Sequence, residues 1–443
     1  MTTPASARRR VLIVCAAYPP HRSPTGHRSR FLAMHAAKSG WAAETLAVSP
    51  EHYGEAPDDE LARLLPADVP VTRTTAWPAR LTRPFGIGDI GIRSYRAMRR
   101  ALGDIVRTRR PDVLYVPGWP FYTFRLALWA KRQYGVPYVL DYTDPWVCAL
   151  TPEQRRPTNK TFWADRIARA LEPDIVREAD HVVGVSMGTH DSVRERFPDI
   201  PADRFSAVPF GFEPSDFEAL RERPRHNPFW DAGDGNIHLV YVGAMLPHGY
   251  ETLRALFASL LALRAEDATR YGRVRVHFFG TTYAANPTEN LVIPVAREMG
   301  LGDVVTEHAR RIPYVDALNV LTSANGILSL GSSERHYTAS KIYPCIIARR
   351  PLLALYHEAS SVGEVMRKAG VRELVDYGDE VRAGHRVPEI TAALRRLVER
   401  AVDPAPTPAP NLEGMAEFTA ERSARHITGV FDSIVARREA AGG

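Results

Sequence analysis

Residues 111–146 read PDVLYVPGWPFYTFRLALWAKRQYGVPYVLDYTDPW. Two short apolar runs, Val113–Val116 and Tyr138–Asp141, flank a longer helical pattern at Phe124–Tyr134. A strand, a helix and a second strand in this order form a βαβ unit, in which the two strands run parallel. The segment therefore predicts a parallel α/β fold.

The same alternation continues on both sides of this segment and predicts a first domain over residues 1–210. Its other expected strands are Val11–Ala16, Ala43–Val48, Val69–Thr72, His181–Val185 and Phe205–Val208, and its other expected helices include Phe31–Ser39 and Tyr95–Arg107.

A loop-like stretch at residues 221–236 precedes a second α/β series, which predicts a second domain over residues 211–405. Its expected strands are His238–Val242, Val274–Phe279, Val304–Glu307, Gly326–Leu330 and Leu352–Leu355, and its expected helices include Glu251–Arg264, Asn290–Met299 and Ile342–Ala348. A proline-rich stretch follows, and a last helix is expected over residues 411–438. The 443 residues suit two domains of about 200 residues each, with a cleft between them.

The composition excludes several classes of protein. The net charge of +6 comes without a long block of like charge, and no nucleic-acid-binding signature is present. The three cysteines have no disulfide or zinc spacing, which is typical of a reducing compartment. The apolar run after Arg8-Arg9-Arg10 is short and lacks a cleavage site, so it predicts a first strand and a cytoplasmic protein.

Two glycine motifs match known patterns but lack the context that those patterns need. Gly86-Ile-Gly88-Asp-Ile-Gly91 fits the dinucleotide fingerprint, yet it follows a loop instead of a strand, and we interpret it as a loop. Gly184-Val-Ser186-Met-Gly188 fits the nucleophile elbow of hydrolases. The alternative is that Ser186 ends a strand and a helix follows.

Two segments of the first domain are candidate ligand-binding elements. Asp141-Tyr-Thr-Asp144 follows a strand, so its carboxylates could orient substrate hydroxyls, or Asp144 could simply begin a turn. The loop after the first strand contains Gly26 and His27, where backbone could approach a ligand. Arg28 and Arg30 add positive charge there, and a solvated basic turn is the alternative.

In the second domain, Ser340-Lys341-Ile-Tyr343-Pro344 follows an expected strand. Proline is tolerated in the first turn of a helix, so a helix is expected to begin near Ser340 or Lys341. Its free N–H groups, with Lys341 beside them, predict a seat for an anion such as a diphosphate. A plain helix cap is the alternative.

These segments together resemble the retaining glycosyltransferases of family 4, which have the GT-B fold. The likeness rests on Val11–Pro20, on Pro111–Tyr115 with Val136–Trp146, on Ala179–Ser186 and Val208–Phe212, on His238–Gly243, and on Tyr337–Tyr343 with Arg350-Pro351. The resemblance implies two facing Rossmann-like domains, with the acceptor on the first and the nucleotide-sugar donor on the second. It also implies that the last helix returns to pack on the first domain.

Several positions depart from the family pattern. The family's Glu-x7-Glu pair falls on His336 and Pro344, and His336 or Glu334 would have to replace the glutamate that contacts the sugar. The basic residues that usually follow the first strand of the second domain are missing after Gly243, so Arg254, Arg311 or Lys341 would have to compensate. Phe210 stands where the family has asparagine.

The resemblance implies a hexosyltransferase that uses a UDP- or GDP-sugar, without a metal or other cofactor, in polysaccharide or natural-product biosynthesis. The acceptor would be a sugar, a lipid-linked intermediate or a small molecule. The catalytic candidates are Gly26, His27 and Asp144. The donor-site candidates are Gly243, Arg311, Glu334, His336, Ser340, Lys341 and Tyr343.

Three alternatives stay open: a nucleotide-sugar epimerase of the same fold, a serine hydrolase that uses Ser186, and a non-catalytic paralogue. A further feature concerns location. The loop from Trp77 to Phe85 mixes aromatic and cationic residues, a pattern typical of segments that contact a membrane surface. It predicts peripheral contact with the inner face of a membrane.

Overall fold

A computed structural model describes residues 9–147, 150–151, 153–223, 225–245, 247–282, 284, 287–333, 340–403, 405 and 407–442. The chain divides into two compact units. Unit 1 extends to Gly211 and resumes at Ala420, and unit 2 comprises Phe212–Thr419.

Unit 1 contains a seven-stranded parallel sheet. The strands are β1 (Arg9–Val14), β2 (Trp41–Val48), β3 (Val71–Thr74), β4 (Val113–Pro117), β5 (Tyr138–Tyr142), β6 (His181–Gly184) and β7 (Phe205–Ala207). The helices are α1 (Pro24–His35), α2 (Asp59–Arg63), α3 (Ala79–Thr82), α4 (Ile90–Arg109), α5 (Phe124–Tyr134), α6 (Lys160–Arg177) and α7 (Met187–Arg194). The strand order is β3-β2-β1-β4-β5-β6-β7, so the order reverses between β1 and β4.

Unit 2 contains a six-stranded parallel sheet. The helices are α8 (Pro214–Glu222), α9 (Tyr250–Glu266), α10 (Ala268–Tyr271), α11 (Ile293–Glu298), α12 (Tyr314–Ser323), α13 (Ile342–Ile347), α14 (Val362–Ala369) and α15 (Val387–Val402). The strands are β8 (Ile237–Val242), β9 (Val274–Phe279), β10 (Val305–His308), β11 (Gly326–Leu330), β12 (Leu352–His357) and β13 (Leu374–Tyr377). Their order is β10-β9-β8-β11-β12-β13, which reverses between β8 and β11.

The last helix, α16 (Ala420–Gly442), belongs to unit 1, where it packs beside α1. The Phe431 ring meets the buried Trp41 edge-to-face at 5.2 Å, and Ile427 and Ile434 complete the same apolar cluster. The second core of unit 1 lies under α4 and α5, on the other face of the sheet. Both faces of the sheet are therefore covered, as a parallel sheet requires.

The structure corrects three details of the sequence prediction. Helix α1 begins at Pro24 and not at Phe31, because Ser23 caps it by accepting a hydrogen bond from the Gly26 N–H and Pro24 suits the first helical position. The last helix begins at Ala420 and not near Leu412. Strand β13 was not predicted, because it is a short, partly exposed edge strand with little apolar pattern.

Candidate functional site

The two reversal points are the places where open α/β sheets bind ligands, at the carboxyl ends of the strands. In unit 1 this edge carries the start of α1 and the loop after β4. Thr25 donates a hydrogen bond to the Trp119 carbonyl at 3.1 Å, and Thr143 donates to the Gly118 carbonyl at 2.9 Å. Thr25 and Thr143 therefore both bind the loop after β4, and the candidates Gly26 and Asp144 are their neighbours in sequence.

Gly26 lies in the first turn of α1 and not in a loop. A Cβ at this position would lie 2.7 Å from the carbonyl oxygen of Ala17, a distance that real side chains do not reach. Glycine thus lets the helix start pack against the loop that follows β1. The next residue, His27, is half-buried, and its ring lies 6.3 Å from that of Phe31.

Arg28 and Arg30 do not supply free charge to the loop, which corrects the expectation from the sequence. Arg28 is 3% exposed and pairs with the fully buried carboxylate of Asp141. Its remaining N–H groups donate to the carbonyls of Val208 and Pro209 at 2.9 Å each. Burial by itself would lower the Arg28 pKa, but the Asp141 carboxylate and Tyr115 outweigh it and raise that pKa.

Tyr115 donates to the same Asp141 carboxylate, so the three side chains form one buried network. Burial, with the carboxylate beside it, raises the Tyr115 pKa well above its ordinary value. The network ties β4 and β5 to α1 and holds Asp141 away from any substrate. Asp144, three residues on, is exposed.

The loop after β4 also presents an aromatic residue in an unusual conformation. Trp119 has φ +81° and is 42% exposed, and its ring lies 5.5 Å from that of the buried His21. Left-handed backbone at a bulky residue is uncommon and concentrates at functional sites. Sequence reasoning missed this residue, because nothing in its neighbours signals a positive φ.

The two glycine motifs have structural roles. Asp89 caps α4 by accepting from the Ile92 N–H at 3.0 Å, and no strand leads into the glycines around it. Ser186 caps α7 by accepting from the Thr189 N–H at 3.2 Å, with extended backbone at φ −153°. The strained turn that exposes a hydrolase nucleophile is therefore not formed at Ser186.

In unit 2 the reversal point brings together two donor-site candidates that are far apart in sequence. Gly243, directly after β8, has φ +150°, and a Cβ there would lie 2.8 Å from Cδ and 3.0 Å from Nζ of Lys341. Lys341 precedes α13. Glycine at 243 is what allows the lysine side chain to lie across the end of β8.

Lys341 is held by Tyr241, a residue of β8 that the sequence analysis did not single out. The Lys341 ammonium donates to the Tyr241 hydroxyl and lies 4.2 Å from the centre of its ring. The same hydroxyl donates to the Ala244 carbonyl at 2.8 Å. Burial lowers the Lys341 pKa to about 7, and within the described residues no carboxylate forms an ion pair with it.

Other donor-site candidates occupy the neighbouring strand ends or lie elsewhere. The Gly243 N–H donates to the Phe279 carbonyl at 2.8 Å, and Arg311 packs against Gly280, so Arg311 belongs to the next strand ends along this edge. Ser340 is half-buried beside Lys341.

Tyr343 is 1% exposed and stacks against Phe212 at 6.3 Å, so its ring belongs to the core. Helix α13 has six residues and begins at Ile342, so its dipole is too small to contribute much to the binding of an anion. The candidates Glu334 and His336 lie outside the described residues.

Two other features are absent from the described part of the chain. Among the described residues, no group of three or more His, Cys, Asp and Glu side chains is arranged to hold a metal ion. No helix in the described part of the chain is long and apolar enough to cross a bilayer.

Residues 7–211 match the family model of the glycosyl transferase 4-like domain. Unit 1 is a domain of this family. The resemblance to the glycosyltransferases of family 4 is thereby confirmed. No curated protein gives a significant match to the chain.

Solved structures match the chain along nearly its whole length. A glycosyltransferase from Rickettsia africae is 12% identical with a TM-score of 0.60, over 97% of this chain and 99% of that one. Anabaena HepE, solved in complex with UDP and glucose, is 13% identical with a TM-score of 0.59, over 96% and 100%. A UDP-forming α,α-trehalose-phosphate synthase from Burkholderia xenovorans is 13% identical with a TM-score of 0.62, over 96% and 99%. With two Rossmann-like sheets in one chain, these matches confirm the GT-B fold.

Proposed function

We propose that this protein transfers a sugar from a nucleoside diphosphate sugar to an acceptor, with the donor on unit 2 and the acceptor on unit 1. The observation that carries the proposal is Lys341. It is a half-buried lysine at the reversal point of unit 2, without an ion-pair partner among the described residues. Taking a cation out of water without a counter-ion is costly, and a bound diphosphate would supply the missing negative charge.

The family of unit 1 and the structural neighbours support the same reaction class. HepE was solved with UDP and with glucose, and the trehalose-phosphate synthase is described as UDP-forming. We therefore propose a UDP-sugar as the first donor to test. Arg311, at the neighbouring strand ends, would add charge to the diphosphate, and Ser340 would add hydrogen bonds.

In the proposed reaction the bond between the sugar C1 and the diphosphate breaks, and an acceptor hydroxyl forms the new bond to C1. The hydroxyl proton passes to an oxygen of the leaving diphosphate, with retention at C1. The cation of Lys341 stabilises the charge that develops on that diphosphate. In unit 1, Gly26 and His27 would lie near the reacting centre, and Asp144 would orient acceptor hydroxyls.

The acceptor is proposed to be a sugar, a lipid-linked intermediate or a small natural product, and the protein is proposed to work in the cytoplasm at the inner face of a membrane. A nucleotide-sugar epimerase would alter the donor without any acceptor. Release of nucleoside diphosphate that depends on an added acceptor distinguishes transfer from epimerisation.

The first experiment is a metal-free binding titration with UDP, GDP, ADP, dTDP and CDP, on the wild type, Lys341→Met and Lys368→Met. Lys368 is the matched control, since it is a half-buried lysine of unit 2 that already pairs with Glu364 and Glu417. One diphosphate should bind, and at 100 times its Kd it should stabilise the protein by about 2.7 kcal/mol. Lys341→Met should weaken that binding by roughly tenfold to a hundredfold, and Lys368→Met should not. Equal affinity in all three proteins would remove Lys341 from the donor site.

A further inference from the structure

An exposed apolar and basic surface lies on unit 1 between β3 and β4. We define the α3–α4 ridge as residues 77–100. Trp77, Leu81 and Phe85 are 51%, 61% and 80% exposed. Single exposed apolar side chains are ordinary, but three large ones within nine residues form a patch that calls for an explanation.

The positive charge of the chain is concentrated on the same ridge. Residues 77–100 contain six arginines and one aspartate, a balance of +5, whereas all 443 residues together carry +6. Five of these arginines are exposed, and within the described residues none of the five forms an ion pair: Arg80, Arg83, Arg96, Arg99 and Arg100. The ridge therefore offers cations that the protein itself does not neutralise.

The ridge is held in place by its sixth arginine. Arg93 is buried and donates to the carbonyls of Trp77 at 2.8 Å, Gly88 at 3.2 Å and His52 at 3.0 Å. The Trp77 N–H donates back to the Arg93 carbonyl at 3.1 Å. These bonds fix the loop on the start of α4, so the exposure of the aromatic side chains is a built feature of the fold.

A second exposed apolar pair lies on the same layer of helices. Trp163 and Ile167, one turn apart on α6, are 56% and 45% exposed, with Lys160 and Arg166 exposed beside them. Helix α5 packs against both α4 and α6, and its exposed Arg125 lies 5.3 Å from the Tyr95 ring of α4.

The group of Trp77, Leu81 and Phe85 precedes α4, and the pair Trp163 and Ile167 lies near the start of α6. Both helices begin at the carboxyl edge of the sheet. They are therefore on one side of unit 1 and near one edge. A protein partner usually binds one compact and continuous patch. Two separate apolar groups with arginines around them suit a broad, deformable and negatively charged surface better than they suit a protein partner.

We propose that unit 1 docks on an anionic lipid bilayer through the α3–α4 ridge, with the start of α6 as a second contact. Trp77, Leu81 and Phe85 enter the boundary between headgroups and acyl chains, and the arginines bind lipid phosphates. Docking of this kind is independent of the transfer reaction. The further statement that the acceptor is lipid-linked rests on the proposed function.

The test is flotation of the full chain with vesicles of phosphatidylcholine, with and without about one third phosphatidylglycerol, at low and high salt. The wild type should float with the anionic vesicles. Leu81→Ser/Phe85→Ser should lower the partition coefficient by about tenfold or more. Arg80→Gln/Arg100→Gln should lower it by about 25-fold at low salt, since one arginine near such a surface contributes about fivefold.

The matched control is Val381→Ser/Val402→Ser, which removes two apolar side chains of unit 2 that are 40% and 46% exposed. It should float like the wild type. Absence of wild-type flotation with anionic vesicles would overturn the proposal and favour an acidic protein partner. Equal flotation of the Leu81→Ser/Phe85→Ser variant would overturn it as well, because the bilayer would then bind another surface. Nucleotide binding is measured on the same variants. A variant that loses flotation but still binds nucleotide shows that docking is separate from transfer. Normal flotation without nucleotide binding counts against the proposed function alone.

Discussion

The two units share the strand order at their reversal points, but the cation beside each reversal point has different partners. In unit 1, Arg28 is surrounded by the Asp141 carboxylate and two backbone carbonyls. In unit 2, Lys341 has a tyrosine hydroxyl and ring beside it, and no carboxylate pairs with it among the described residues. A cation that is fully paired within the fold is a structural element, whereas an unpaired one is available to a ligand.

The two pKa shifts express the same difference. The Asp141 carboxylate raises the pKa of Arg28 above its ordinary value in spite of burial. Burial lowers the pKa of Lys341 to about 7. The folded protein therefore stabilises the charge on Arg28, but it destabilises the charge on Lys341.

The largest effect should come from breaking the pair in unit 1. Asp141→Asn leaves the Arg28 cation buried without a counter-ion, which should lower the free energy of unfolding by about 3–5 kcal/mol. Urea unfolding measures it. Asp104→Asn, which removes the partner of Arg107 in an exposed pair, should cost less than about 1 kcal/mol. A small cost at Asp141 would mean that the carboxylate does not hold Arg28.

A smaller effect concerns two histidines, one in each unit. Unlike the two cations, these histidines have pKa values that are shifted in the same direction. Burial lowers the pKa of His181, with Arg437 adding to it, and that of His277, with His238 adding to it, to about 4. Both rings are neutral in the folded state, while an unfolded histidine binds a proton below about pH 6.5. Stability should therefore be complete above about pH 6.5 and fall as the pH drops towards 4.

By pH 5 the loss should be about 2 kcal/mol for each histidine. Urea unfolding at pH 7.5 and at pH 5 measures it, and His181→Gln should show a correspondingly smaller pH effect. The exposed His426→Gln is the control and should behave like the wild type. An unchanged pH effect in His181→Gln would show that this ring is already protonated in the folded protein.

The smallest effect is the pH dependence of donor binding. A bound diphosphate should raise the pKa of Lys341 from about 7, so binding takes up a proton above that pH. Affinity for a UDP-sugar should weaken by about tenfold from pH 6 to pH 8. Calorimetry measures it, with a UDP-sugar because its diphosphate does not itself titrate in this range. Lys341→Met should lack the dependence, and the same slope in that variant would assign the proton to another group.

Most of the fold could be predicted from the sequence, because buried parallel strands are continuous apolar runs. Twelve of the thirteen strands coincide with expected runs to within two residues at each end. Edge strand β13 has only Leu374 and Val375 as an aliphatic signal. The start of α1 was missed because Ser23-Pro24-Thr25-Gly26 is also the composition of a turn.

The candidate site was less predictable, because it depends on contacts between distant residues. Lys341 was selected for its place before a helix, but what distinguishes it is its position against Gly243 and Tyr241, about a hundred residues earlier. For Arg28 the sequence predicted positive charge in a loop, whereas the structure shows a buried and paired side chain. Its pairing with Asp141 follows from the adjacency of β1, β4 and β5 in the sheet.

Helix α16 has a consequence for the order in which the molecule can be completed. A ribosome makes all of unit 2 before the last helix emerges, yet that helix covers one core of unit 1 through Ile427, Phe431 and Ile434. Unit 1 therefore stays unfinished, with an apolar face uncovered, until this helix has been made. A chain that stops at Thr419 would contain every residue of unit 2. It would nevertheless leave one core of unit 1, the unit that is synthesised first, uncovered.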